Sequence, residues 1–262
     1  MRDMKISVIL ALIHHGALER MYGVRENIES LSRSLSSKYS LRLTEIHHQT
    51  IDEIPAVEFL RRKIFLNRQI KRWSIYKDDL SQKFFEVSTT NSVLKARCSI
   101  EAILSGKHVY AWRTLIESNL DLLVVMEDDC HKAPKSDERF LALLESLDSC
   151  KSIAPLYVDL AGGFDICAIS GGISISPLEQ GLVKFAKAMT NTTCAYMINR
   201  QAAEFFLSVI RRNPDFINLP ADWLLNSIFI ELAENNVDVF CIHSSPPIFS
   251  HASKAGVLNT SI

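Results

Sequence analysis

Three adjacent carboxylates, Glu127-Asp128-Asp129, stand directly behind the apolar run Leu122-Leu123-Val124-Val125-Met126. Acids crowded at the end of a buried strand repel one another and lose hydration unless a cation compensates them. A hard divalent ion is the natural partner. Carboxylate ligation with open positions suits Mg²⁺ or Mn²⁺ holding substrate phosphates rather than zinc. On extended backbone Glu127 and Asp129 point to one side and Asp128 to the other, so two side chains would face one ion. The competing reading is a strand that ends in a solvated acidic turn.

The elements that must position these acids are visible in the hydrophobic pattern. Ile6 to Ile13 is an apolar run interrupted only by Ser7, the pattern of a strand buried on both faces of a sheet. It falls short of the roughly 20 residues of a membrane-spanning helix. Behind Met1 to Lys5 it imitates a signal peptide, but Asp3 and His14-His15-Gly16 fit a first strand and its loop better. Ile28, Leu31 and Leu35 recur at helical spacing within Val24 to Leu35, and Leu41 to Ile46 reads as a second strand. A further helix is predicted from Ser99, its cap, with Glu101 in the first turn and Gly106 a weak point, ending at Ser118-Asn119. The β-α-β opening predicts an α/β fold with a mostly parallel sheet, whose ligands sit beyond the carboxyl ends of the strands.

Composition narrows the function classes. A chain of 262 residues, 47% hydrophobic, suffices for one well-filled core. Its 29 basic and 30 acidic residues leave a net charge of -1, which argues against a coat for nucleic acid. Nine Gly and eight Pro without a biased tract remove collagen-like and linker-like readings. Cys98, Cys130, Cys150, Cys167, Cys194 and Cys241 form no CxxC pair, so neither a zinc knuckle nor a secreted disulfide framework is indicated and a reducing compartment fits. Between Glu58 and Lys77, Arg61, Arg62, Lys63, Arg68, Lys71 and Arg72 alternate with Ile64, Phe65, Ile70 and Trp73. This reads as a basic amphipathic helix. It serves either as a solvated face over a docked stripe or as a contact with an anionic bilayer or phosphorylated acceptor. No second basic-aromatic segment continues it, as a single-stranded nucleic acid would require.

Four blocks, in order, resemble glycosyltransferase family 25, which contains bacterial lipooligosaccharide galactosyltransferases. Lys107-His108-Val109-Tyr110-Ala111-Trp112, the helix and strand behind it and Glu127-Asp128-Asp129 are similar to the family's Ser-His-x-x-x-Trp, helix, strand, Glu-Asp-Asp signature. Thr193-Cys194-Ala195-Tyr196-Met197-Ile198, Pro220-Ala221-Asp222-Trp223-Leu224-Leu225 and Pro246-Pro247-Ile248-Phe249-Ser250-His251 resemble its three later blocks. Lys107 stands where the family usually has Ser, and His251 where it has Gln.

The resemblance implies a GT-A, Rossmann-like fold as one domain over 1–262, with a nucleotide-sugar part over 1–135 and an acceptor part over 136–262. It implies an inverting transferase that moves a sugar, typically galactose from UDP-galactose, to a saccharide hydroxyl of a lipid-linked surface glycan. The work would be done in the cytoplasm, peripherally at the inner face of the plasma membrane. Glu127 and Asp129 would hold Mn²⁺ or Mg²⁺ against the donor diphosphate, with Asp128 contacting substrate and His251 either a further ligand or a surface residue. Asp222 would be the base, unless it is a helix N-cap; Asp165, behind Gly162-Gly163-Phe164, is a competing base or acceptor ligand, or a turn residue. His108 would touch the donor, or be a buried histidine satisfied by a backbone carbonyl. Tyr196 reads as core packing. Two rivals remain: a degenerate sugar- or partner-binding protein, and a metal-dependent nucleotidyl or phosphoryl transferase, which lacks a P-loop here.

Overall fold

The computed structural model describes residues 6–14, 18–36, 38–46, 91–149, 154–162, 175–178 and 181–251. The predicted basic helix lies outside the described residues, as does Asp165. The β-α-β opening is present as β1 (Ser7–Ile13), α1 (Leu18–Leu35) and β2 (Ser40–Ile46). Next come α2 (Asn91–Ser118), β3 (Leu122–Glu127), β4 (Cys130–Lys132), α3 (Ser136–Ser149) and β5 (Leu156–Asp159). The chain continues through β6 (Ile175–Pro177), β7 (Leu182–Phe185), β8 (Ala195–Asn199) and α4 (Arg200–Arg212). A 3₁₀ turn at Pro214–Asn218, α5 (Ala221–Glu234), β9 (Phe240–Ser244) and β10 (Phe249–His251) complete it.

Among the described residues, eight strands form one sheet in the order β2-β1-β3-β8-β5-β9-β7-β6. The pairs β1·β2, β1·β3 and β5·β9 are parallel; β8 runs against β3 and β5, and β7 against β9 and β6. All strands but β7 and β8 therefore point one way, which makes the sheet mostly parallel as the βα order predicts. Alternation sorts β1 and β3 between two cores. Ile9, Ala11, Ile13, Leu123 and Val125 face α2, α4 and α5, while Val8, Leu10, Leu12, Val124 and Met126 face α1 and α3. Burying each such aliphatic side chain contributes about 1.5–3 kcal/mol. The outcome is a three-layer α/β/α stack.

Two expectations need correction. The helix before β3 begins at Asn91, so Ser99 and Glu101 lie inside it rather than at its start; Leu94, Lys95, Ala96 and Arg97 are all good helix formers that extend it backwards. Strand alternation also stops at Glu127. Asp128 and Asp129 form a turn into β4, which pairs antiparallel with β10 in a separate two-stranded sheet. The extended backbone assumed for the triplet thus ends at Glu127, and Asp128 is turned inward, 6% exposed, apart from the partly exposed Glu127 and Asp129.

Several contacts pin the approach to β10. Arg139 donates to the carbonyl of Pro247 at 2.8 Å and to that of Pro246. Gly162, at φ 65°, lies so close to Pro247 that a Cβ would sit 2.7 Å from its ring, so only glycine fits. Phe140 of α3, fully buried, meets Phe249 with ring centroids 6.2 Å apart. Phe140→Ala is expected to cost about 3–5 kcal/mol of unfolding free energy, read from urea denaturation, with β10 the strand that loses its support.

Candidate active site

The strand register gathers the chemistry at one edge. Glu127 closes β3 beside Ile13 of β1, and Met126 faces Ala195 at the start of β8. Asp159 closes β5 opposite Tyr196 and His243. This is the carboxyl end of the parallel strands, where open α/β sheets bind ligands. A cavity of about 500 Å³ lined by Phe185, Phe229, Val237 and Phe240 lies at the other edge, where β9 begins, away from the acids.

One helix face reaches the acids. His108 and Trp112 are four residues apart on α2 and so share a face. Trp112 Nε1 donates to the Tyr196 hydroxyl at 2.9 Å; the same hydroxyl lies 2.8 Å from His108 Nδ1, and His108 Nε2 lies 3.1 Å from Glu127 Oε1. Tyr196 is wholly buried, stacked on Tyr157 at 5.6 Å and on His108 at 5.6 Å. Burial first, and then the charge of Glu127, push its phenol well above the usual tyrosine range, although the Trp112 bond opposes them. Tyr196 is thus core packing, as its apolar neighbours predict, with a hydroxyl inside a polar chain. His108 is buried, as one of its two readings has it, but its partners are a phenol and a carboxylate rather than a backbone carbonyl.

The rest of the triplet has partners of its own. Asp129 Oδ2 lies 2.8 Å from His251 Nε2, a contact carried by the β4–β10 pairing that sets His251 opposite Cys130. Lys107 is 1% exposed and its ammonium donates to the His14 carbonyl at 2.6 Å. Burial lowers its pKa, opposed by the negative charge of Asp128 and then of Glu127. Sequence reasoning marks Lys107 only as a departure from the family's Ser; it is an internal cation set against the triplet. Under the turn, the buried thiol of Cys194 is hydrogen-bonded to that of Cys130, and this bond and burial push its pKa up.

The donor types of Glu127, Asp129 and His251 can be compared with what a divalent ion takes. Two carboxylates and one imidazole are oxygen and nitrogen ligands of the kind Mn²⁺ accepts. Among the described residues no group of three or more His, Cys, Asp or Glu side chains forms a metal site on its own.

Asp222 lies in the first turn of α5, whose N-cap is Pro220 without a side-chain cap bond. The N-cap reading is therefore incorrect, because the helix starts two residues earlier than a capping Asp222 requires; the carboxylate accepts the Trp223 N–H at 2.9 Å. One turn on, Asn226 exchanges bonds with the N–H and carbonyl of Thr190 at 3.1 and 2.7 Å, tying the helix to the same edge.

Sequence reasoning misses Asp159. It is fully buried, accepts the N–H groups of Ala161 and Gly162 at 2.9 Å each, and faces Thr190 Oγ1 at 3.3 Å and His243 Nδ1 at 3.4 Å. Its signal is an acid behind the apolar Leu156-Tyr157-Val158, the same pattern that exposes the triplet.

No protein-family model matches the chain, and no curated protein matches it. Among solved structures, the chain is similar to a glycosyltransferase involved in glycosylation of the major capsid of PBCV-1, at 11% identity over 93% of each chain, TM-score 0.44. It is also similar to mannose-1-phosphate geranyltransferase from Thermus thermophilus, at 10% identity over 90% of this chain and 74% of that one, TM-score 0.36. At these scores neither likeness bears on activity, and the functional reading rests on the residues.

The buried His243 gives the edge a pH dependence. Burial holds its pKa below the ordinary value, against the pull of Asp159 and of the Met189 carbonyl at 3.0 Å. The unfolded chain, at about 6.5, then takes up the proton first, so stability falls as pH drops below about 6.5 towards the folded pKa. Urea unfolding at pH 7.5 and 5.5 is expected to show a loss in the wild type that shrinks in His243→Gln; equal losses in both would assign the effect elsewhere.

Proposed function

We propose that this protein is a metal-dependent inverting glycosyltransferase of GT-A type, moving a sugar from a UDP-sugar, galactose in the first instance, to a hydroxyl of a surface-glycan acceptor. The observation that carries the reading is the meeting of three of the four motif blocks at one sheet edge. His108 and Trp112 of the first block reach Tyr196 of the second and Glu127 of the acid signature, and His251 of the last block reaches Asp129. Residues this far apart in sequence have no local reason to converge.

Glu127 and Asp129 would hold Mn²⁺ or Mg²⁺, with His251 beside them, and the donor diphosphate would complete the ligation. The bound ion supplies positive charge for the leaving diphosphate. Lys107, buried behind the triplet, keeps the acids from repelling the incoming phosphates at full strength. In an inverting displacement the bond from the anomeric carbon to the diphosphate oxygen breaks as the bond to the acceptor oxygen forms on the opposite face. The acceptor's proton passes to a carboxylate, Asp222 in this reading and Asp165 in its alternative. The acceptor is taken to be lipid-linked and the protein to work in the cytoplasm at the inner membrane face, with the basic segment between Glu58 and Lys77 as the contact. No described helix is long and apolar enough to cross a membrane.

Incubation with UDP-galactose, UDP-glucose and UDP-N-acetylglucosamine, with and without Mn²⁺, tests the reading through UDP release. Metal-dependent release that Asp129→Ala lowers by roughly 10²-fold or more is expected, the scale of losing one electrostatic stabiliser. Binding without turnover for every donor and acceptor would leave a degenerate sugar-binding protein instead.

A further inference from the structure

The hydrogens of the buried chain Trp112–Tyr196–His108–Glu127 can be counted. Trp112 Nε1 only donates, and it spends its hydrogen on the Tyr196 oxygen at 2.9 Å. Tyr196 keeps its own hydroxyl hydrogen, since burial holds the phenol protonated. That hydrogen needs an acceptor at a site without exposure, and the group within reach is His108 Nδ1 at 2.8 Å. An Nδ1 that accepts carries no proton, so the imidazole's hydrogen sits on Nε2. There it meets Glu127 Oε1 at 3.1 Å, a carboxylate oxygen that can only accept. With a hydrogen on Nδ1 as well, the Tyr196 oxygen would receive two donors and its own hydrogen would point at nothing. All three hydrogens find acceptors in one arrangement, and it runs in one direction, from the core to the acid triplet.

We propose that Tyr196 is a positioning residue for the candidate site: it fixes the His108 ring with Nδ1 accepting and the hydrogen on Nε2, and that imidazole orients the Glu127 carboxylate by holding Oε1. The inference rests on the reading of Glu127 as a ligand-holding acid for its functional consequence, but not for its geometry. It assigns His108 a role behind the carboxylate rather than against substrate. It also gives Tyr196 a task beyond packing, while Trp112 only donates to the other side of the phenol oxygen. Outer partners of this sort keep a ligating group in one orientation.

The test is ¹⁵N NMR of the His108 ring in the protein without metal or nucleotide, at neutral pH. The expected wild-type pattern is an unprotonated Nδ1 and a protonated Nε2. Trp112→Phe, which keeps the phenol, retains that pattern, whereas Tyr196→Phe moves the two nitrogens towards a tautomer average. A purely structural role would disturb both variants alike. In the UDP-release assay, Tyr196→Phe is expected to raise the Mn²⁺ concentration for half-maximal rate about 10-fold or more, with Trp112→Phe well below that. If Tyr196→Phe does not fold, the wild-type spectrum alone decides. A protonated Nδ1 in the wild type, or an unchanged pattern in a folded Tyr196→Phe, overturns the proposal. Absence of sugar transfer with the tautomer pattern intact would instead count against the enzymatic reading and leave the directed chain standing.

Discussion

Two like charges about 4 Å apart in a partly buried setting repel by about 4 kcal/mol, a large share of the roughly 5–15 kcal/mol that holds a domain folded. Three successive carboxylates at the end of the buried β3 strand impose that problem on the whole edge of the sheet. The solution is distributed: Asp128 and Glu127 lie in the field of the Lys107 ammonium, Glu127 meets His108, and Asp129 meets His251. Lys107 and His108 come from α2 and His251 from β10, and Lys107 is itself held by the His14 carbonyl behind β1, so all three elements must be in place before the acids can be tolerated. The requirement explains why β10, a strand of three residues, is clamped by Arg139 and by the Gly162–Pro247 contact.

Tolerated acids are also poised acids. The side chains of Glu127 and Asp129 remain 14% and 18% exposed. An edge that balances its charge in part while keeping some carboxylate surface open is what the proposed cation with its anionic ligand would need. Asp159 adds a different kind of anchoring. Its carboxylate accepts the N–H groups of Ala161 and Gly162, so the chain that follows β5 is held at the same edge as the triplet.

Much of the frame is legible because continuous apolar runs mark strands buried on both faces. Ile6 to Ile13 and Leu122 to Met126 appear as β1 and β3 within one residue, and the helical spacing of Ile28, Leu31 and Leu35 marks α1. Beginnings of helices are less legible: nothing in the side-chain types between Asn91 and Ser99 stops a helix, so the polar Ser99 imitates a cap. The triplet and its motif partners can be named from the sequence, but not their geometry. Alternation describes extended backbone, which ends where Asp128 and Asp129 turn. The Asp129–His251 contact depends on a pairing of two three-residue strands too short to leave a periodicity. Lys107 is the least legible residue, since a lysine on a helix reads as solvent-facing until the fold shows which face is buried.

The central claim is that this edge grips a cation together with a nucleoside diphosphate, and calorimetric titration of UDP into the protein tests it most directly. With Mn²⁺ present UDP should bind, and in excess chelator the binding should be lost or fall by orders of magnitude, with Asp129→Ala resembling the chelated wild type. Equal UDP affinity with and without the ion, or no UDP binding in either condition, would contradict it.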